Sequence, residues 1–579
     1  MAAAMLYEPS YSCVRREFAV LGLHAGCVER VDEFRTRGFL DDGTGRISLF
    51  VAGELSLDGC GVGDGRGTLT CAIDAYDRAP HRFPAAVRGL CSGLLVDEAR
   101  GRSVLFNDRL GMERLFIYED EERCVFASEA KAILAAVPAT RHFDREGLAE
   151  FMATGSTFGE RSLFAGIRVL PAATAVTLTR GGATTRRYFD PATWEDPERL
   201  SEPDFLDALA DIVDKAVRSQ LAPERTALSL TGGLDSRMIL AAANPPAGTV
   251  PCYTFGSMYR DTYDVRVARA IARTCDQSHH VLVLDDAFVR GVGDWLEKSV
   301  YIADGYLGLS GAAELYLNRA ARRIAPVRVT GNYGGELLRG FRAFKGSMPK
   351  GDFLTQDMTR HVSDAIDAFG SLNEMPPLSF TLLRQAPSGY GRYVIERSQV
   401  TVRSPFLDDR VIQVLYRRPV QMTRAIDPCA FLVGRRRPDL LGIPTDRGFL
   451  GDGGQLRRRA VRVYREALFK AEYLTGHGAT HGIAQMTRRP PGSLLERILV
   501  GRHKFLHPRI WMRGSLGEYM HGVLTEAQDA LGAVCEPGAV QRLLREHMNG
   551  SKNYWEELDK LLTIAAAHRL LLKPQARRS

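Results

Sequence analysis

"LSLTGGLDSRMIL", residues 228–240, decides how the rest of the chain reads. Leu228–Leu230 has the character of a short buried strand. Gly232 and Gly233 follow Thr231 as a turn. Asp235 and Ser236 then open an apolar run with helical spacing, which Asn244 and Pro245 end. Strand, bare turn and helix start, in that order, aim backbone N–H groups at a place where an oxyanion can lie. Glycine lets the main chain come close, and the helix N-terminus favours negative charge. The hydroxyls of Thr231 and Ser236 add donors. Asp235 repels a phosphate unless a cation stands between them, as Mg²⁺ does when it bridges carboxylate and phosphate. A GxxxxGK(S/T) loop for a transferable γ-phosphate is absent. Glycines used for packing alone are the competing account; the hydroxyl, acid, hydroxyl set argues against it.

Outward from this stretch, strands and helices alternate. "DFLDALADIVDKAVRSQL" is an amphipathic helix, "TALSL" the strand already met, "PCYTFG" a second strand and "YDVRVARAIARTC" a helix. "HHVLVL" and "PVRVTG" are a third and a fourth strand. The pattern predicts an α/β domain with a doubly wound, mostly parallel sheet, whose ligands lie at the carboxyl ends of the strands. His279 and His280 are adjacent on a strand and point to opposite faces, so they are not a metal pair. Beyond about residue 350 the chain reads as largely helical. "ELDKLLTIAAAHRLLL", residues 557–572, is an amphipathic helix for a core or subunit contact.

Before residue 190 the rhythm differs. "RISLFVAGEL", "GTLTCAIDAY", "SGLLVDE", "SVLFNDRL", "LFIYED", "CVFAS" and "TAVTLTR" read as short strands of an antiparallel sheet. "EAKAILAAV" and "FDREGLAEFMA" read as helices, giving an α+β N-terminal part. Prolines, acids and a helix-start signal cluster at 186–204, so the domains are expected at 1–190 and 200–579.

The bulk numbers narrow the class. A chain of 579 residues with 45% apolar and 25% charged residues is an ordinary globular protein of two or more domains. No apolar run reaches bilayer length and no secretory signal opens the chain, so a cytoplasmic protein without a membrane partner is expected. Ten cysteines are scattered singly, with no CxxC pair or zinc spacing, and free thiols are expected throughout. A net charge of +7 includes basic runs at 434–439, 456–465 and 576–579. No nucleic-acid motif accompanies them, and solvated surface is the expected role.

Several blocks resemble the asparagine synthetase superfamily, in its order, over roughly residues 45–450. "LTGGLDS" is similar to its SGGxDS pyrophosphate loop. "NDRLGMERLFIY" and "CVFASEAKAIL" resemble RDxxGxxPLYY and FASExKAL. "TGNYGGELLRGF", residues 330–341, resembles SGEGGDELFGGY, and "VRSPFLDDRVIQ" resembles ARVPFLDxxLVE. The resemblance implies an Ntn-hydrolase-like sandwich followed by an α/β ATP-pyrophosphatase-type domain with a helical C-terminal part. It also implies ATP and Mg²⁺ as cofactors. Thr231, Gly232, Gly233 and Ser236 are then expected on pyrophosphate, Thr330 and Gly331 on the ribose or α-phosphate edge, and Leu230 and Phe255 beside adenine. Asp235 is expected to hold the metal.

The departures matter as much. Ala2, not Cys, follows Met1, and the glutamine-holding NGEIYN motif is not seen, so glutamine hydrolysis is not expected. Gly335 stands where the family has a metal-binding Asp, with Glu336 next as the replacement ligand beside Asp235. Thr401 replaces a Glu. Asp446 replaces a late Lys, with Arg447 beside it as the substitute positive charge. In these losses the chain resembles the subset that contains β-lactam synthetases and lasso-peptide cyclases. That subset implies an amide-forming ligase, with Asp235, Glu336 and Arg447 as its catalytic set. It would join a small-molecule or peptide carboxylate to an amine through an acyl-adenylate, with a precursor peptide or a partner protein as a further expected partner. Asparagine synthesis from free ammonia and a degenerate nucleotide-binding scaffold are the alternatives.

Overall fold

The computed structural model describes residues 1–31, 38–57, 65–195, 197–221, 225–340, 342, 344–372, 374–422, 427–448, 450–451, 454–477 and 501–573. The basic run at 576–579 lies outside these. Strands β1 (Tyr11–Phe18) and β2 (Leu23–Arg30) form a hairpin. Strands β3 (Gly38–Asp41), β4 (Ile47–Leu57), β5 (Val87–Asp97) and β6 (Arg102–Asn107) are followed by β7 (Phe116–Glu119) and β8 (Cys124–Ala127). Next come β9 (Arg168–Val169), β10 (Thr174–Thr179) and β11 (Gly182–Arg187). An antiparallel sheet runs β11-β10-β6-β5-β4-β3, and a smaller one runs β8-β7-β9.

Period-two alternation gives the large sheet two apolar faces. Leu49, Val51, Leu55, Cys91 and Phe106 pack beneath the helix Gly65–Arg78. Phe50, Leu94, Val96 and Leu105 pack on the other side against Phe18, Cys27, Leu115 and Ile117. The segment 67–76, expected as a strand, is therefore helix. Its buried residues Leu69, Ala72, Ile73 and Tyr76 recur at helical spacing, and that periodicity overrides the β preference of its threonines.

The second architecture is a parallel sheet of β12 (Thr226–Ser229), β13 (Cys252–Gly256), β14 (His279–Val283), β15 (Val327–Thr330) and β16 (Thr401–Arg403). Its order is β14-β13-β12-β15-β16. The chain steps outward from β12 through β13 to β14, then returns to place β15 on the other side of β12. Ser229 pairs with Tyr253 on one side and with Thr330 on the other. The sense of winding thus reverses between β12 and β15, where the two following loops diverge and leave a crevice. β16 was not anticipated; three residues are too few to show a period.

Local signals set the helices around this sheet. Ser201 caps Glu202–Gln220 through the Asp204 amide, and Thr262 caps Tyr263–Thr274 through the Val265 amide. Asp235–Ala243 stops at Asn244, which is left-handed at φ 38°. The arginines of the 434–439 run pair with acids at the surface: Arg435 with Asp207 and Asp211, Arg436 with Asp214, Arg437 with Asp439.

One further core ties the ends of the chain together. Phe116, Ile133, Phe151 and Phe164 share it with Leu296, Leu309, Leu543 and Leu561. The helix Trp555–Ala567 buries Leu558, Leu561, Leu562 and Ile564 there. Among the described residues eight cysteines are free, but Cys71 is disulfide-bonded, against the expectation of free thiols throughout. Single, widely spaced cysteines carry no sequence mark of which ones meet in space. No helix among the described residues is long and apolar enough to cross a membrane.

Candidate functional site

The crevice between β12 and β15 opens into a cleft of about 620 Å³. Its floor is Ser229, Thr231, Asp235 and Ser236 from one strand end and Thr330, Gly331 and Glu336 from the other. Leu90 and Met112 of the first architecture reach one wall, and Tyr306, Gln385, Tyr393 and Glu396 form another. Arg328 anchors the floor from below. It donates to Ser229 Oγ at 3.2 Å and pairs with Glu396 at 3.2 Å.

Gly331 brings the two strand ends into contact. A Cβ on it would lie 2.7 Å from the Ser236 amide nitrogen and 2.9 Å from the Asp235 carbonyl carbon. Only a residue without a side chain fits there. Tyr333 then takes the left-handed conformation at φ 70°, which a tyrosine rarely adopts. It turns the chain into the helix Gly334–Arg339, which carries Glu336.

The 231–236 turn is held by its own donors. The Thr231 amide and the Ser236 hydroxyl are 2.9 Å apart, as are the two hydroxyls. The Gly232 amide donates to Asp264 Oδ1 at 2.5 Å. Burial first, then the neighbouring charge of Asp446, pushes the Asp264 carboxyl up to about 7. Asp446 is raised as well, by burial. Arg237, fully buried, donates to the carbonyl oxygens of Leu440, Ile443, Gly232 and Pro444, and so pins the turn to the segment that bears Asp446.

Asp235 meets Arg339, whose Nη2 donates to Oδ1 at 2.9 Å. The Gly335 amide also donates to the carboxylate. Burial nevertheless pushes the Asp235 carboxyl up to about 6; Arg339 opposes the shift, and Glu336 and Asp427 add to it. Glu336 Oε1 accepts from Gln385 at 3.4 Å. No group of three or more His, Cys, Asp and Glu suited to a metal occurs among the described residues. With the Arg339 guanidinium already on Asp235, the arrangement does not fit a magnesium ion held jointly by Asp235 and Glu336.

Thus Thr231, Asp235, Ser236, Thr330, Gly331 and Glu336 come together around one cleft, with Gly232 and Gly233 in the turn beside them. The remaining expected residues stand apart. Leu230 is wholly buried in the core, its amide bonded to the Tyr253 carbonyl and its own carbonyl to Thr254. Phe255 packs against Phe505 and under Arg328. Arg447 stacks on Phe469, 4.1 Å from the ring centroid, outside the cleft lining. The sequence reading missed Arg339, Asp264 and Arg237. For Arg339 a signal existed: Gly335 and Arg339 are four apart on one short helix and so face the same way.

Two domains of this chain match known families. A glutamine amidotransferase domain matches residues 71–189, and asparagine synthase matches residues 208–377. Asparagine synthetase (glutamine-hydrolyzing) 3 of Bacillus subtilis is 23% identical over 393 residues, 58% of this chain and 62% of that protein. Putative asparagine synthetase (glutamine-hydrolyzing) 2 of Methanocaldococcus jannaschii is 23% identical over 268 residues, 44% of this chain and 50% of that one. The matches thus span between half and two thirds of these relatives. Among solved structures, a glutamine phosphoribosylpyrophosphate amidotransferase from B. subtilis, complexed with ADP and GMP, is 11% identical. It covers 42% of this chain and 47% of its own at a TM-score of 0.17, an overlap too loose to bear on the site. On the two matched domains and the two synthetase relatives, this chain belongs to the asparagine synthetase superfamily.

Proposed function

We propose that the chain is an ATP-dependent carbon–nitrogen ligase that activates a carboxylate and passes it to an amine without hydrolysing glutamine. The observation that carries this is the cleft where the 231–236 turn meets the end of β15 at Gly331. ATP lies across it, its β- and γ-phosphates over Thr231, Gly233 and Ser236 and its α-phosphate toward Thr330 and Gly331. A substrate carboxylate oxygen attacks the α-phosphorus, and the bond to the β-phosphate oxygen breaks. Pyrophosphate leaves and an acyl-adenylate remains. An amine nitrogen then attacks the carbonyl carbon and sheds a proton, and AMP departs with the electron pair of the broken bond between that carbon and the anhydride oxygen.

The role of each residue follows from its place. Gly233 lets phosphate approach the main chain, and the helix start at Asp235 favours the anion. Glu336, in the same cleft, meets the incoming amine and takes the proton that it sheds. Cys13 and Cys27 both lie inside the β1–β2 ladder, opposite Val28 and Val14, so neither carries a free α-amine as base. With no internal source of ammonia, the amine comes with the substrate. This favours a small molecule or peptide closed or extended by an amide bond, as in natural-product or lasso-type biosynthesis in the cytoplasm, over asparagine synthesis from free ammonia.

A second reading, a nucleotide-binding scaffold without chemistry, rests on the Gly232 amide being taken by Asp264. ATP–pyrophosphate exchange over a panel of carboxylates separates the two. Exchange with one carboxylate is the expected result. Nucleotide binding without exchange on any candidate supports the scaffold. Ammonia release from glutamine would contradict the missing glutaminase step.

A further inference from the structure

Asp235 faces the same cleft as Thr231, Ser236, Thr330 and Gly331, which are proposed to receive a polyphosphate. An acid there works against an anionic ligand unless something cancels its charge. The structure supplies that cation from the protein. Arg339 Nη2 donates to Asp235 Oδ1 at 2.9 Å, and the two side chains are 25% and 27% exposed. Glu336 and Asp427 add negative field at the same carboxylate.

Gly335 leaves room for the pairing. A Cβ at this position would stand 2.8 Å from Arg339 Nη2 and 3.1 Å from Asp235 Oδ2, so a side chain here would make the tip of the arginine shift. The glycine and the arginine are one turn apart on the helix Gly334–Arg339, so they present to the same space. Arg339 sits in the last turn of that helix, where the backbone dipole favours a cation. The left-handed Gly340 ends the helix immediately afterwards, at φ 71°.

We propose that Arg339 is a built-in counter-cation, a positioning residue that neutralises Asp235 in place of a metal ion and makes polyphosphate binding nearly independent of divalent cations. This rests on the reading of the cleft as a nucleotide site. A guanidinium is always charged and presents a fixed fork of donors, so it suits a permanent pair with a carboxylate. An ion that arrives on the phosphates would meet a carboxylate already half cancelled, and its removal would change affinity little. Lysine at 339 would keep the charge but lose the fork.

The test measures affinity of the full chain for an ATP analogue with a methylene between the α- and β-phosphorus, in excess Mg²⁺ and in EDTA. For the wild type the expected change between the two buffers is under threefold. Arg339→Ala is expected to bind at least tenfold more weakly in EDTA and to recover most of that loss in Mg²⁺. Arg339→Lys should fall between. Gly335→Ala, which keeps the arginine and only shifts its tip, should weaken binding in EDTA less than Arg339→Ala and guards against a folding defect. Equal loss of binding in EDTA by wild type and Arg339→Ala overturns the inference, as does an Arg339→Ala protein with wild-type affinity in both buffers. Failure of the wild type to bind in either buffer overturns the nucleotide reading itself.

Discussion

The backbone of Gly331 lies against the first turn of the helix that Asp235 begins, so closely that a Cβ would reach within 2.7 Å of the Ser236 amide nitrogen. Gly331→Ala must therefore separate the ends of β12 and β15. Overpacking of this kind costs about 1–3 kcal/mol, and a drop in thermal midpoint together with weaker nucleotide binding is expected. Gly233→Ala is the informative contrast. Its Cβ would meet only Thr231 Oγ1, at 3.6 Å, an ordinary contact. It should leave the thermal midpoint nearly unchanged and still weaken binding, because the space it fills belongs to the ligand. Equal effects of the two variants on stability would contradict this division.

Asp264 gives the protein a pH dependence of defined sign. Burial, then the charge of Asp446, lifts its folded carboxyl to about 7, whereas an unfolded aspartate titrates near about 3.9. Between these values the folded state holds the extra proton. Stability from this group is therefore full below about pH 4, falls as pH rises, and is lost above about pH 7. The slope is at most about 1.4 kcal/mol per pH unit for one proton. Asp264→Asn keeps an acceptor for the Gly232 amide and removes the titration. Denaturant unfolding at pH 5 and pH 8 should show the variant gaining on the wild type at pH 8. Parallel profiles would sink the assignment.

Arg403 of β16 binds Glu54 of β4, its Nε 3.0 Å from each carboxylate oxygen. The pair joins the antiparallel sheet to the parallel one. Arg403 is 5% exposed and the Glu54 side chain 20% exposed. Breaking a buried pair from one side costs about 3–5 kcal/mol, and the partial exposure of Glu54 places this one at about 3 kcal/mol. Glu54→Ala should lower the free energy of unfolding by that amount and the denaturation midpoint with it, and Glu54→Gln by less. A midpoint unchanged in Glu54→Ala would mean that the contact does not couple the two sheets.

What was legible in the sequence was what is local. The strand, glycine turn and helix at 226–243 announce themselves by period and turn chemistry, and so do β13, β14 and the capped helices. The helix Gly65–Arg78 was misread because β-branched residues hid a helical stripe, and β16 because three residues show no stripe at all. The site was half legible for the same reason. Thr231, Asp235 and Ser236 lie in one turn, and Thr330, Gly331 and Glu336 in another. Arg339 reaches Asp235 across 104 positions of chain, marked only by its sharing a helix face with Gly335, and Asp264 reaches Gly232 across 32 with nothing local to mark the meeting. Leu230 shares its strand face with the buried Leu228, which accounts for its place in the core rather than beside a ligand.

A crystal structure of the full chain soaked with the methylene ATP analogue tests the central claim most directly. The account predicts the triphosphate over residues 231–236, its α-phosphate toward Thr330 and Gly331, and the Asp235–Arg339 pair intact beside it. An analogue bound elsewhere, with the turn empty and the Gly232 amide still on Asp264, would contradict it.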